Sequence, residues 1–141
     1  MKPAEFTYES VTTAPAEDIV ALYQAGGWWR ESRENRLRIE PMIRGSFCFM
    51  VVRAPDGKIV AMGRAISDGA SDAYIQDVVV LPAYRRRGIG RELIRRLTRH
   101  CVEHEIEWIG LVAEPGTLAF YKDLGYSPLE GHQPMLYGKR G

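Results

Sequence analysis

The residues best suited to binding chemistry lie in positions 84–94, which read Tyr-Arg-Arg-Arg-Gly-Ile-Gly-Arg-Glu-Leu-Ile. Gly88 and Gly90 lack a Cβ atom, so the backbone there can turn tightly and approach a ligand closely. A helix that begins at these glycines leaves the N–H groups of its first turn unpaired, with the positive end of the helix dipole behind them. Residues 85–91, called the glycine turn below, therefore predict an anion site, most often one for phosphate.

Positive charge is concentrated in and after the glycine turn. The chain has a formal net charge of +1, whereas residues 85–99 contain seven arginines and one acid, Glu92, which gives a local charge of +6. Such clustering is typical of a surface that meets an anionic partner, and a solvated helix face is the alternative for the outer arginines. A nucleic-acid partner is not expected, because this segment holds no aromatic residue on which bases could stack.

Hydrophobic periodicity predicts the elements that position the glycine turn. Strands are predicted at residues 6–11, 47–53, 58–67, 72–81 and 108–113, with ragged last strands at Tyr126 and residues 135–137. Helices are predicted from residues 14–17 to Tyr23, at 32–44 with an interruption at Pro41, at 88–104, and at 117–124. This order implies an α/β (α+β mixed) fold, a mixed sheet with helices packed on it.

The length of 141 residues fits a single domain, 1–141. No apolar run approaches the roughly 20 residues of a membrane span, and the first residues lack the apolar stretch of a signal peptide. Cys48 and Cys101 are too few and too far apart for a disulfide framework. A reducing cytoplasm is the expected location, with no membrane partner.

The sequence matches three other ligand-binding patterns only in part. The dinucleotide fingerprint needs a third glycine where Leu93 stands, and the Gly-Lys-Ser/Thr of a phosphate-binding loop is missing. His100 and His104 match the short zinc-peptidase pattern His-x-x-Glu-His. The sequence distinguishes no third ligand, so we expect two structural histidines and no metal.

Two motifs together carry a family resemblance. Arg85-x-x-Gly88-x-Gly90 follows the strand residues 77–82, and Ala-Phe-Tyr-Lys-Asp-Leu-Gly-Tyr follows at 119–126. This arrangement resembles the GNAT superfamily of N-acetyltransferases, whose pyrophosphate loop reads Arg/Gln-x-x-Gly-x-Gly/Ala and whose later motif is commonly Phe-Tyr-x-x-x-Gly-Phe/Tyr. The resemblance covers residues 6–137 and implies a splayed, mostly antiparallel sheet of six or seven strands flanked by about four helices.

The resemblance implies acetyl-coenzyme A (acetyl-CoA), or a close acyl relative, as donor. Its pyrophosphate would lie on the glycine turn, and its pantetheine arm would pair like an added strand with the main chain of the preceding strand. The slot would open between the strands at 72–81 and 108–113. The implied cofactor-binding residues are Val78, Val79, Val80, Arg85, Arg86, Arg87, Gly88, Ile89, Gly90 and Arg91.

By its motif position Tyr121 matches the proton donor proposed for the family, since a phenol near the thioester sulfur can protonate the leaving thiolate. A core aromatic packed beside Phe120 is the alternative. Asp77 is a candidate base, because alternation places it with Ile75 and Val79, and apolar neighbours favour proton uptake by a carboxylate near neutral pH. A structural carboxylate paired with an arginine is equally compatible, and Glu114 is the other candidate base.

Trp28 and Trp29 follow Gly26-Gly27, in the region that covers the acceptor side in the proteins this chain resembles. Exposed indoles suit a cationic or aromatic amine, and the alternative is that one of them caps the core. The predicted function is N-acetyltransfer from acetyl-CoA to a primary amine of a small molecule, by direct attack in a ternary complex. The alternatives are a non-catalytic acyl-CoA sensor and acetylation of a peptide or protein amine. The resemblance is also compatible with a homodimer.

Overall fold

The computed structural model of the chain describes residues 5–138. These residues form five β-strands, four α-helices and one short 3-10 turn. In chain order the elements are β1 (Thr7–Ser10), α1 (Ala16–Ala25), α2 (Arg33–Gly45), β2 (Cys48–Arg53), β3 (Ile59–Ser67), β4 (Asp72–Val80), the 3-10 turn (Pro82–Tyr84), α3 (Ile89–Glu103), β5 (Trp108–Gly110) and α4 (Leu118–Asp123).

The strands form one sheet in the order β1-β2-β3-β4-β5. The first three pairings are antiparallel, and only β4 and β5 run parallel. The predicted α/β class and the mostly antiparallel sheet are therefore confirmed.

Helices cover both faces of the sheet. Side chains of α1 and α2, among them Leu22 and Ile43, form one cluster with Met62 and other strand residues. On the opposite face, a Cβ atom at Gly63 would lie 2.9 Å from Leu97 Cδ1 in α3. Because Met62 and Gly63 are consecutive in β3, their side-chain positions lie on opposite faces of the sheet. The arrangement therefore places α1 and α2 on one side of β4 and α3 on the other.

Helix α2 begins at a side-chain cap and continues through its proline. Ser32 Oγ accepts a hydrogen bond from Asn35 N at 3.0 Å, which satisfies one donor of the first turn. The predicted interruption at Pro41 is wrong, because the helix runs on to Gly45. Ile39 and Ile43, four residues apart on either side of Pro41, are both buried. Their shared apolar face offsets the hydrogen bond that proline cannot donate.

The chain divides into two compact units, one that runs to Leu111 and one that begins at Val112. The described part of the second unit contains α4 and no strand. The predicted strands at Tyr126 and residues 135–137 are therefore wrong, and the described sheet has five strands rather than six or seven. Pro128 and Pro134 cannot donate to a strand ladder, and Tyr137 is 96% exposed.

The expectation of a single domain, 1–141, stays a prediction, and its ends at 1–4 and 139–141 lie outside the described residues. Strand β5 is also shorter than predicted, since it ends at Gly110 instead of Ala113. Between residues 5 and 138, no helix has both the length and the apolar character that crossing a membrane requires.

Candidate functional site

The glycine turn leads into α3 through backbone of positive φ. Arg86 has a φ of 65° and Gly88 a φ of 79°, a region that glycine adopts readily and other residues rarely. The Gly88 carbonyl accepts an early helical hydrogen bond, from Glu92 N at 3.1 Å. The N–H groups of Ile89 and Gly90 lie in the first turn of α3, where no earlier residue of the helix can accept them. The turn therefore has the donors that an anion site requires.

The space around the two glycines fits a ligand. A Cβ atom at Gly88 would have no atom within 4 Å, and one at Gly90 would meet only Val80 Cγ2, at 3.8 Å. Gly90 has an ordinary negative φ, so neither the backbone nor the chain's own packing requires a glycine there. Helix α3 is fixed beneath this open space by buried Ile89 and Leu93. The open backbone at Gly90 is the feature that a phosphate-bearing ligand would need.

Strand β4 has an edge that β5 covers only in part. The two strands pair at Asp72↔Trp108, Ala73↔Ile109 and Tyr74↔Gly110, whereas β4 runs on to Val80. Leu81 N donates to Val60 O at 2.8 Å, so the main-chain groups of Leu81 face β3. By the alternation of an antiparallel ladder, those of Val80 face the other way, toward the open edge.

Arg85 occupies part of this edge. Its Nε donates to Val80 O at 2.9 Å, and its Nη2 donates to Ala25 O at 3.5 Å. The guanidinium therefore ties the glycine turn to the end of β4. Val79 pairs with Met62 and faces β3, whereas Val78 lies where the register of the ladder shifts.

A β-bulge lies where β4 passes Gly63. Val79 pairs with Met62 and Gln76 with Arg64, so Asp77 and Val78 together oppose the single residue Gly63. Asp77 has a φ of 60°, an unusual conformation for a residue with a side chain. A Cβ atom at Gly63 would lie 3.0 Å from Val78 Cγ2, so the bulge needs a small residue opposite it.

The bulge changes which side chains share a face. Ile75 pairs with Ala65 and Val79 pairs with Met62, and cross-strand partners lie on the same face. Because Ala65 and Met62 are three residues apart, Ile75 and Val79 lie on opposite faces. The prediction that Asp77 shares one face with both is therefore wrong. Asp77 lies on the α1 side, with Val79, because the extra residue reverses the alternation.

Asp77 is held by two side chains that the sequence did not connect to it. Tyr23 Oη donates to Asp77 Oδ2 at 2.7 Å, and Arg64 Nε donates to the same oxygen at 2.8 Å. Burial, and next the charge of Asp77, raise the pKa of the Tyr23 phenol well above its ordinary value of 10.0, so Tyr23 acts only as a donor here. Both of these hydrogen bonds engage Oδ2, and 20% of the Asp77 side-chain surface stays exposed.

The two tryptophans near α1 have different environments. Trp29 is half-buried against the core cluster, and its Nε1 donates to Glu31 Oε1 at 3.4 Å. Trp28 is 42% exposed. Both rings neighbour Tyr23, with centroid distances of 6.2 Å for Trp28 and 6.4 Å for Trp29. Trp28 is therefore the indole that a ligand could reach.

Tyr121 lies in the second unit, on α4. Its ring contacts Phe120 and Tyr126 edge-on, with centroid distances of 5.0 and 6.1 Å. Burial, followed by the neighbouring Tyr126 and Glu114, raises the pKa of the Tyr121 phenol above 10.0. The hydroxyl therefore keeps its proton at neutral pH, which is the state that a proton donor requires.

The other arginines and the histidine pair have contacts of their own. The Arg87 guanidinium lies 5.3 Å from the Tyr84 ring centroid, and Arg86 is exposed. The rings of His100 and His104 stack at 4.3 Å, and Phe47 meets both edge-on. Within the described chain no group of three or more His, Cys, Asp or Glu side chains could hold a metal ion.

The sequence profile of the acetyltransferase (GNAT) family matches residues 13–126. The chain belongs to this family. An uncharacterized N-acetyltransferase, ycf52-like, of Prochlorococcus marinus is 29% identical over 125 residues, which are 86% of this chain and 68% of that protein. The chloroplastic GCN5-related N-acetyltransferase 2 of Arabidopsis thaliana is 39% identical over 81 residues, 57% of this chain but only 31% of its own length.

A solved structure agrees with the family assignment. The GNAT family acetyltransferase of Streptococcus pneumoniae superposes with a TM-score of 0.80 at 26% identity, over 97% of this chain and all of that one. Family membership makes the chain an acetyltransferase of a type that uses acetyl-CoA. The glycine turn and the open edge of β4 are the parts of the first unit that fit this ligand.

Proposed function

We propose that the chain transfers the acetyl group of acetyl-CoA to a primary amine of a small molecule. The observation that carries the proposal is the juxtaposition of the glycine turn with the open edge of β4. A Cβ atom at Gly90 would lie 3.8 Å from Val80 Cγ2, so both features belong to one surface. The first suits a diphosphate and the second suits an extended chain with amide groups, and acetyl-CoA combines the two.

The donor would be held mainly by main-chain groups. The amides of the turn, from Arg86 through Gly88, Ile89 and Gly90 to Arg91, would bind the pyrophosphate. Val78 and Val80 would pair with the pantetheine amides, and Val79 would hold the strand to β3. Arg85, bound to Val80 O, would have to share or release that carbonyl, whereas Arg86 and Arg87 would attract the polyanion.

Direct attack in a ternary complex accounts for the chemistry. The amine nitrogen attacks the thioester carbonyl, the C–S bond breaks, and the amide product loses one proton while the thiolate gains one. Tyr121 is the proposed donor of that second proton, because of its motif position and because its phenol stays protonated. Asp77 is the proposed acceptor of the first, through Oδ1, since Oδ2 is engaged by Tyr23 and Arg64.

No acyl-enzyme step is part of this proposal. Cys48 and Cys101 are both buried. Burial, and next the neighbouring Cys48, raise the pKa of the Cys101 thiol to about 11, and burial raises the pKa of Cys48 as well. Thiols rather than thiolates are present at neutral pH, and thiolates are the nucleophilic form.

The setting of the reaction is a further part of the proposal. Two free, buried cysteines suit a reducing compartment, and we favour the cytoplasm. We also propose a homodimer as the working state, which sedimentation analysis would test.

Thiol release from acetyl-CoA, followed with and without amines, tests the proposed function. Release that depends on an amine, with no acetylated protein in the mass spectrum after incubation with acetyl-CoA alone, is the expected result. Acetylation of the protein in the absence of amine would contradict direct attack. Stabilisation of the fold by acetyl-CoA without thiol release for any amine or peptide would favour the sensor function instead.

A further inference from the structure

Trp28 is a rigid aromatic surface. Three atoms of its ring lie 2.7–2.8 Å from where a Cβ atom at Gly26 would stand, so the indole rests directly on the glycine backbone. Tyr23 meets the indole edge-on at 6.2 Å. The ring is therefore fixed from two sides while 42% of the residue stays exposed. Large aromatic surfaces of this kind contribute contact area at little cost in side-chain entropy.

The carboxylates linked to the two indoles are paired, and the segment that begins at Trp28 is positive. Asp77 is paired with Arg64, and Glu31, which accepts from Trp29, is paired with Arg36. Residues 28–45, from Trp28 to the end of α2, contain five arginines and three glutamates, a net charge of +2. A ligand with several ammonium groups would meet a net positive segment here, and the carboxylates linked to the two indoles, Glu31 through Trp29 and Asp77 through Tyr23, already have an arginine partner.

We propose that the acceptor is an aromatic monoamine, with a flat apolar body that lies against the exposed face of Trp28. This inference rests on the proposed function and names the acceptor class of the same site. The body of the ligand is recognised by aromatic contact. Exclusion of polyamines follows from the matched carboxylates and the arginine excess of residues 28–45.

The first test is a panel of amines at fixed acetyl-CoA, with kcat/KM measured by thiol release. Phenethylamine and tryptamine represent the proposed class, and spermidine, a phosphorylated amino sugar and a lysine peptide represent the alternatives. We expect the aromatic amines to exceed spermidine by at least about 10-fold, the scale of one or two lost contacts.

Variants separate contact with Trp28 from a general loss of folding. Trp28→Ala should raise KM for tryptamine about 3- to 10-fold, the worth of one aromatic pair, and leave KM for acetyl-CoA unchanged. Trp28→Phe should retain most of the affinity. Gly26→Ala should act like Trp28→Ala, because Gly26 has a φ of −79° that alanine tolerates while its Cβ would displace the indole. Val102→Ala, at a side chain 58% exposed near the end of α3, is the control and should change neither KM.

The outcomes distinguish this inference from the proposed function. Preference for spermidine, the amino sugar or the peptide, or an unchanged amine KM in both Trp28→Ala and Gly26→Ala, would overturn the aromatic acceptor and leave acetyl transfer intact. Absence of thiol release with every amine, together with no stabilisation of the fold by acetyl-CoA, would overturn the proposed function and the acceptor class with it.

Discussion

Arg64 Nε lies 2.8 Å from Asp77 Oδ2 across the bulge of β4, and both side chains are largely shielded from solvent. Tyr23 donates to the same oxygen, so three elements, α1, β3 and β4, meet at one carboxylate. The bulge is what turns Asp77 toward Tyr23. This contact links the strand that would pair with the donor to the helix that precedes the acceptor side.

Two substitutions break the Arg64–Asp77 pair in different ways. Both Asp77→Asn and Arg64→Gln leave one largely shielded partner without its counter-charge, so each should lower the free energy of unfolding by about 1–3 kcal/mol in urea denaturation. Only Asp77→Asn removes the proposed base, so it alone should also reduce kcat by about 10²-fold or more. Equal kcat for the two variants would mean that Asp77 acts through structure alone. Glu9→Gln, which breaks the more exposed pair with Arg53, is the control and should cost less than about 1 kcal/mol.

Removal of the Tyr121 hydroxyl tests its role as proton donor. Tyr121→Phe should lower kcat by about 10²-fold with an unchanged dissociation constant for acetyl-CoA. The raised pKa of Tyr121 moves the loss of its proton to higher pH than in an ordinary tyrosine, so the wild-type kcat should show no loss from this group near neutral pH. Tyr8→Phe is the control, since Tyr8 lies in β1 against Arg96. Equal kcat for wild type and Tyr121→Phe would remove Tyr121 from the chemistry.

We expect His100 to make the free energy of unfolding depend on pH. Burial, and next the adjacent His104, lower the pKa of His100 below 6.5. The unfolded chain then binds the proton more readily than the folded one, so this contribution to stability is present above about pH 6.5 and is lost as the pH falls through the lowered pKa. His100→Gln should flatten the dependence of unfolding free energy between about pH 5 and 7.5, whereas His132→Gln should not. An unchanged slope in His100→Gln would refute this origin.

The cofactor half of the site could be predicted because its requirements are local. The spacing of Gly88 and Gly90 predicts a turn and an open backbone within a few residues, and the structure shows both features. The surroundings of Asp77 could not be predicted in the same way. Tyr23 lies 54 positions away, and the bulge depends on Gly63 in the neighbouring strand. Register between strands is a tertiary property that alternation within one strand does not contain.

The errors in the fold also have physical causes. The apolar residues 135–137 match the composition of a strand, but composition does not supply a partner, and Pro134 removes a donor at their start. At Pro41 the opposite happened, because burial of Ile39 and Ile43 carried α2 through the proline. In both cases tertiary packing, rather than local sequence preference, determined the secondary structure.

The measurement that tests the central claim most directly is a calorimetric titration of acetyl-CoA into three proteins: wild type, Gly90→Leu and Gly45→Leu. Both glycines lie in helices at negative φ, and a Cβ at Gly45 meets nothing within 4 Å, so both variants should keep the wild-type unfolding free energy within about 1 kcal/mol. If the glycine turn holds the pyrophosphate, Gly90→Leu should weaken binding at least about 10-fold while Gly45→Leu binds like wild type. Wild-type affinity in a folded Gly90→Leu variant would contradict a donor site at this turn.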